Sequence, residues 1–204
     1  MATVCRDVVP AAPARDVPRG AGSFVNVVTL GDGRLAIVYY DRVRTALVAQ
    51  VESSAGASSF AEVVLDDAGD RGMWASAVAD GNTLHVAYQD ALGDQLLYAT
   101  WSGGDVTVEV VDDGVRDGDR PHPVGASAAL WLDGGAPRVA YQDGMSADVV
   151  VATRGAGAGW PRQYVTSDVD LDGFYLAAAG GVLAWDQLSH ARYPASALVV
   201  QLAP

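Results

Sequence analysis

Thr83-Leu-His-Val-Ala-Tyr-Gln-Asp90 is a short apolar run closing in Tyr-x-Asp, followed by Gln95-Leu-Leu-Tyr-Ala-Thr100 and Val106-Thr-Val-Glu-Val-Val-Asp112. Runs of β-branched, aromatic and small apolar residues, bounded by Gly, Asp and Asn and without a sustained helical period, read as β-strands. The pattern recurs. An earlier copy reads Gly33-Arg-Leu-Ala-Ile-Val-Tyr-Tyr-Asp41, Thr45-Ala-Leu-Val-Ala-Gln50 and Phe60-Ala-Glu-Val-Val-Leu-Asp66. A later one reads Pro137-Arg-Val-Ala-Tyr-Gln-Asp143, Asp148-Val-Val-Val-Ala-Thr153 and Trp160-Pro-Arg-Gln-Tyr-Val-Thr166. A fourth, degenerate copy keeps Gly181-Val-Leu-Ala-Trp-Asp-Gln187 and Ala197-Leu-Val-Val-Gln201. Tyr39, Tyr88, Tyr141 and Trp185 are spaced by 49, 53 and 44 residues, a period in the range of propeller blades.

Each unit opens on a small-residue run, Val25-Asn-Val-Val28, Ala75-Ser-Ala-Val78, Ala126-Ser-Ala-Ala129 and Leu176-Ala-Ala-Ala179, suited to an innermost strand near a crowded axis. Four strands per unit predict an all-β fold, a β-propeller of four blades with four antiparallel strands each. The fourth unit shows three strands, and Ala2-Thr-Val-Cys-Arg-Asp-Val-Val9 resembles the last strand of the first two units. The expected organisation is one domain over 1–204: closing strand 2–9, then blades at 22–66, 73–113, 124–168 and 173–202, the last completed by 2–9. Closure would remove two free sheet edges. The rivals are four blades of a larger ring, or a ring completed by a second copy, so the expected state is a monomer or a ring-completing dimer.

Half of the residues are apolar and 19% are charged, as in a globular domain, and the net charge is −12. That charge argues against nucleic acid, which requires a basic footprint, and no apolar run reaches membrane-spanning length. The first residues lack the basic start and apolar core of a signal peptide. The single Cys5 excludes an internal disulfide and reads as a buried, inert thiol. Thirteen Arg and no Lys, with abundant Ala, Gly, Val and Asp, suggest a GC-rich bacterial source.

In a propeller, the loop leading into each first strand and the loop between second and third strands share one face of the disc. That places Asp66, Asp67, Asp70, Asp112, Asp113, Asp117, Asp119, Asp168, Asp170 and Asp172 beside Asp41, Asp90, Asp94, Asp143, Asp148 and Asp186. Such a face can hold a hard cation or steer a cationic partner. Asp168-Val-Asp-Leu-Asp-Gly173 has D-x-D-x-D-G spacing, which makes Asp168, Asp170 and Asp172 the candidate calcium ligands. The closing acid is missing: the relevant positions are Ala179 and Leu176, and the segment also aligns with ordinary blade connectors.

Tyr-x-Asp recurs in three units, which favours a structural role, the Asp accepting N–H bonds of the following turn and the Tyr packing between blades. Sugar stacking on these rings is the functional alternative. Departures from the repeat are the better guide to a unique pocket: Trp185, His190, Arg192 and Tyr193 in the fourth unit form the candidate ligand site. Asn26, Ser76 and Ser127 align on the inner strands and are the candidate axis-lining residues. His85, His122 and His190 show no metal-ligand spacing, and neither a G-x-S-x-G turn nor a phosphate-cradling loop occurs, so no catalytic residue is expected.

The run His85 to Asp90, then Gln95 to Thr100, then a Val-rich strand and a Gly-containing connector resembles the bacterial β-propeller repeats grouped as sialidase-like or BNR-like. The sialidase Asp-box and the enzymatic residues of that group are absent. The resemblance implies a propeller used for binding or display, extracytoplasmic and part of a larger exported protein. The expected function is a non-enzymatic binding or scaffold module engaging a protein or glycan partner on its acidic face. The alternatives are a lectin-like, carbohydrate-binding propeller and a sialidase-like hydrolase remnant.

Overall fold

The computed structural model describes residues 21–116, 121–157, 159–190 and 195–204; the predicted strand 2–9 lies outside them. Among the described residues the chain forms fifteen strands and no helix. The first sheet is β1 (Ala21–Thr29), β2 (Leu35–Asp41), β3 (Ala46–Glu52) and β4 (Phe60–Asp66). The second is β5 (Arg71–Asp80), β6 (Thr83–Asp90), β7 (Gln95–Trp101) and β8 (Val106–Asp112). The third comprises β9 (Val124–Asp133), β10 (Ala136–Asp143), β11 (Asp148–Thr153) and the short β12 (Arg162–Tyr164). The fourth has β13 (Leu171–Ala179), β14 (Val182–Leu188) and β15 (Ser196–Leu202). Neighbours in sequence pair antiparallel throughout, an arrangement of a propeller type.

Successive side chains on a strand point to opposite faces, and each inner sheet is covered on both. Leu84, Val86, Tyr88 and Leu97 pack against Leu47, Ala49 and Val51 of the first sheet. From the opposite face of the second sheet, Ala87, Leu96 and Tyr98 pack against Val139, Tyr141 and Val150 of the third. Val149 and Val151 meet Leu183 and Trp185 of the fourth. Burial on both faces explains why β3, β7 and β11 read as continuous apolar runs rather than alternating ones. Inner strands carry the chain of sheets: β1 lies against β5, β5 against β9 and β9 against β13. Contacts of comparable extent do not join β13 to β1, so the four described sheets form an open series.

Each inner strand carries a bulge, seen as a register shift against its neighbour. Phe24, Trp74, Ser127 and Tyr175 sit there with φ of 53–54°, a left-handed conformation uncommon for bulky residues. Register corrects one alignment made from sequence. Ser76 opposes Ala87, while Ala129 opposes Ala140, so the counterpart of Ser76 is Ala129 and Ser127 takes the bulge position of Trp74. Small-residue runs without distinctive side chains leave a two-residue slip invisible in sequence.

Polar side chains on these strands stitch sheet to sheet. Asn26 donates to the Ala75 carbonyl at 2.8 Å and accepts from the Ala77 N–H at 3.2 Å. Ser76 Oγ accepts from Leu130 N–H at 2.9 Å, and Ser127 Oγ from Tyr175 N–H at 3.2 Å. Glycines permit the close approach: a Cβ on Gly72 would lie 3.1 Å from Leu47 Cα, and one on Gly125 3.2 Å from Leu96 Cα. Both have positive φ, 119° and 93°, so Gly meets two demands at once.

Candidate functional site

Two of the three sheet junctions are closed by the same polar device. Tyr88 donates its hydroxyl to Asp66 at 2.6 Å, and Arg71 binds both Asp66 (2.9 Å) and Asp90 (3.1 Å). One junction on, Tyr141 donates to Asp112 at 2.6 Å, and Arg116 binds both Asp112 (2.9 Å) and Asp143 (3.1 Å). His122 and Tyr164 also reach Asp143, at 2.7 and 2.8 Å, and Arg162 pairs with Asp112. The Tyr of Tyr-x-Asp thus grips the preceding sheet, while its Asp also caps its own hairpin: Asp90 accepts from Leu92 and Gly93 N–H at 3.0 Å.

Burial disfavours ionisation of Asp112, but hydrogen bonds from Arg116, Tyr141 and the Gly114 N–H, with the charge of Arg162, outweigh it and hold the carboxyl below its usual range. Asp143 behaves likewise: burial is outweighed by His122, Tyr164 and the Met145 N–H. Buried carboxylates are retained where they are paired in this way.

These bonds change the acidic face inferred from sequence. Asp41, Asp66, Asp90, Asp112, Asp143, Asp148 and Asp172 are buried. What remains at the surface is Asp67, Asp94, Asp113 and Asp168, with Asp70, Asp170 and Asp186 half-buried; Asp117 and Asp119 lie outside the described residues.

The junction between third and fourth sheets departs from the device. Trp185 replaces Tyr, and its indole N–H donates to Asp172 Oδ1 at 2.7 Å; Gln187, where the other copies have Asp90 and Asp143, donates to the same oxygen at 3.0 Å. Among the described residues no arginine bridges a pair of carboxylates at this junction; the arginine that crosses it, Arg138 of β10, donates to the Pro204 carbonyl beyond β15. Asp172 is fully buried, and its Oδ2 has no hydrogen-bond partner. Burial raises its carboxyl above the usual range, with Asp168 and Asp148 adding repulsion, against the lowering bonds from Trp185 and Gln187. Beside it opens a cavity of about 420 Å³ lined by Asp170, Gln187, Ser189, Ala195, Ser196 and Ala197. Two hydroxyls, an amide and a carboxylate face one space between the loop leading into β13 and the β14–β15 hairpin.

The residues singled out from sequence are distributed as follows. Trp185 is buried and engaged with Asp172, so its ring is not open for stacking. His190 is exposed, and its backbone N–H donates to Asp170 Oδ1 at 2.8 Å. Arg192 and Tyr193 lie outside the described residues. Asn26, Ser76 and Ser127 bond neighbouring inner strands, as described above. Asp168 accepts from the Asp170 N–H at 2.9 Å within its own turn, Asp170 holds the hairpin, and Asp172 faces Trp185. The three carboxylates of the D-x-D-x-D-G segment perform three different tasks, and among the described residues no three His, Cys, Asp or Glu side chains converge to hold a metal ion. Sequence reasoning missed Ser189 and Ser196: neither lies in a motif, and only the pairing of β14 with β15 brings them beside Asp170.

No family model matches the chain, and no curated protein matches it. Solved structures do. A Hadza microbial sialidase is similar over 89% of this chain and 44% of its own, with a TM-score of 0.58 at 12% identity. Trypanosoma rangeli sialidase, in complex with the inhibitor DANA, is similar over 89% and 36%, with a TM-score of 0.51 at 13% identity. A prolyl endopeptidase gives a TM-score of 0.51 at 14% identity, over 87% of this chain and 25% of its own. The likeness is one of fold, a sialidase-like, propeller-type series of sheets, and this chain spans less than half the length of each of the three.

Proposed function

We propose that this chain is a non-enzymatic binding module that engages a hydroxyl-rich, saccharide-type ligand on its carboxylate-bearing loop face, in the cavity at the fourth sheet. The observation that supports this is local. The repeat breaks at the third described junction, which lacks the arginine clamp of the other two, and beside it lies a cavity lined by Asp170, Gln187, Ser189 and Ser196. Sites with a few convergent polar groups recognise ligands by hydrogen bonding, and hydroxyls match an amide, two hydroxyls and a carboxylate. The sialidase-like fold is compatible with that ligand class and adds nothing to its specificity.

The test is a glycan array followed by calorimetry of the best hit against wild type, Ser189→Ala and Gln187→Ala. Each variant removes one hydrogen-bonding partner, and about 1.4 kcal/mol per bond predicts roughly tenfold weaker binding. An array without hits, or variants that bind like wild type, rejects the assignment.

A further inference from the structure

The fourth sheet carries a sheet-mating face that nothing among the described residues covers. In the first three sheets the third strand presents equivalent residues to the next sheet: Leu47, Ala49 and Val51, then Leu96 and Tyr98, then Val149 and Val151, none more than 2% exposed. Their equivalents follow from pairing with the second strand. Tyr98 opposes Ala87 and Val200 opposes Ala184; Leu96 opposes Gln89 and Leu198 opposes Asp186. In the fourth sheet, Leu198, Val200 and Leu202 are 75%, 61% and 73% exposed. Exposed apolar patches of this kind mark interaction surfaces.

The first sheet carries the other half of the same junction. Val25 and Val27 correspond to Ala75 and Ala77, which pack against the first sheet, yet they are 53% and 65% exposed. Tyr39 corresponds to Tyr88 and Tyr141, but among the described residues its hydroxyl meets Gln50 of its own sheet at 3.3 Å and no carboxylate. The glycines agree. Gly72 abuts Leu47, Gly125 abuts Leu96, and Gly173 lies beside Gln142 and Val149, whereas a Cβ on Gly22, whose φ is also positive, would meet nothing within 4 Å. By this pattern the residue that belongs against Gly22 is Leu198.

We infer that the outward face of the fourth sheet docks the first sheet of a second copy of this chain, head to tail, with Leu198 of one copy against Gly22 of the other. Both halves are present on one chain, but the described residues do not join them: β13 and β1 lack contacts of the extent that ties the other inner strands together. Two copies meeting reciprocally form two identical junctions and an eight-sheet ring, within the four to eight blades of propellers. The occupant is defined by the repeat: it must present Gly and two β-branched residues on an inner strand and an unlatched Tyr behind it. This inference is independent of the saccharide reading, since its readout is mass and cross-linking in the absence of ligand.

The experiment is light scattering on the full chain, with variants at each half. Wild type is expected at twice the 21.1 kDa of one chain. Val200→Asp and Val27→Asp are each expected to be monomeric, and mixing the two is expected to restore a dimer through the one junction left intact. In a Cys5→Ser background, Gly22→Cys with Leu198→Cys is expected to form a disulfide between chains under oxidation. A monomeric wild type overturns the inference, as does a Val27→Asp dimer, which indicates pairing of two fourth sheets instead. A disulfide within one chain also overturns it, by showing closure of the ring in cis. If Val200→Asp fails to fold, the cysteine pair decides alone.

Discussion

Replacing Asp112 by Ala tests whether the buried carboxylates hold the sheets together. Asp112 is 1% exposed and accepts from Tyr141, Gly114 N–H, Arg116 and Arg162. Its loss orphans the Tyr141 hydroxyl, on a residue that is itself fully buried, and the Gly114 N–H, at about 1–3 kcal/mol each. The arginines lose less than a fully buried pair would: Arg116 keeps Asp143 at 3.1 Å, and the Arg162 side chain is 34% exposed and partly hydrated. Together these terms give about 4 kcal/mol, within the range for breaking a buried pair. At this chain length that is roughly a 12 °C fall in Tm. The control is Asp133→Ala, whose carboxylate is 65% exposed beside Arg138 and should cost about 0.5 kcal/mol. Urea unfolding followed by tryptophan fluorescence measures both, with an unchanged slope expected. A cycle with Tyr141→Phe sharpens the result: alone it should cost about 1.5 kcal/mol, and in the Asp112→Ala background close to nothing. The folded-state pKa of Asp112 is depressed, so its stabilisation is present above the unfolded value of about 3.9 and is lost as pH falls through the folded value. The gap between wild type and Asp112→Ala should therefore close in acid. A cost equal to that of Asp133→Ala, or a Tyr141→Phe penalty that is the same in both backgrounds, refutes the latch.

Asp172 should show the opposite pH dependence. Its folded-state pKa is raised, mainly by burial, so wild type loses stability as pH rises from the ordinary carboxylate value through the folded one. Asp172→Asn does not titrate, and its stability relative to wild type should increase across that window in urea titrations at stepped pH; a constant or shrinking difference contradicts this. Asn26→Ala removes both bonds to β5 and should cost about 1–2 kcal/mol, with faster hydrogen exchange in β1 and unchanged exchange at the β9–β10 pairing; uniform acceleration would deny the stitch. Gly125→Ala meets both a positive φ and Leu96 Cα at 3.2 Å, while Gly103→Ala has a similar φ of 97° and open space. Both incur backbone strain of about 1–2 kcal/mol, so Gly125→Ala should cost distinctly more by thermal melts, and equal costs would remove the close-approach argument.

The fold was readable because its determinants are repeated. A Tyr-x-Asp at a spacing of 49 and then 53 residues places each second strand, and continuous apolar third strands announce sheets covered on both faces. The site was less readable, for a physical reason that concerns the carboxylates. Sequence places Asp66, Asp112 and Asp172 in loops on one face, but it does not say that Tyr88, Tyr141 and Trp185, lying 22, 29 and 13 residues further along the chain, will draw them into the junctions. A carboxylate with a hydroxyl and an arginine within 3 Å becomes part of the interior, whatever its loop suggests. Trp185 illustrates the same point from the other side. Its departure from Tyr falls at the junction without the arginine clamp, yet the indole itself is consumed by Asp172, and the accessible groups are Ser189 and Ser196, ordinary hairpin residues. Within a repeat, a substitution changes what its neighbours must do, and the surface available to a ligand or a second chain is what those neighbours leave unpaired. In the fourth copy the unpaired elements are a cavity beside Gln187, at a junction that lacks the arginine clamp of the other two, and the outward row Leu198, Val200 and Leu202, which lacks, among the described residues, the covering sheet that each of the first three sheets has.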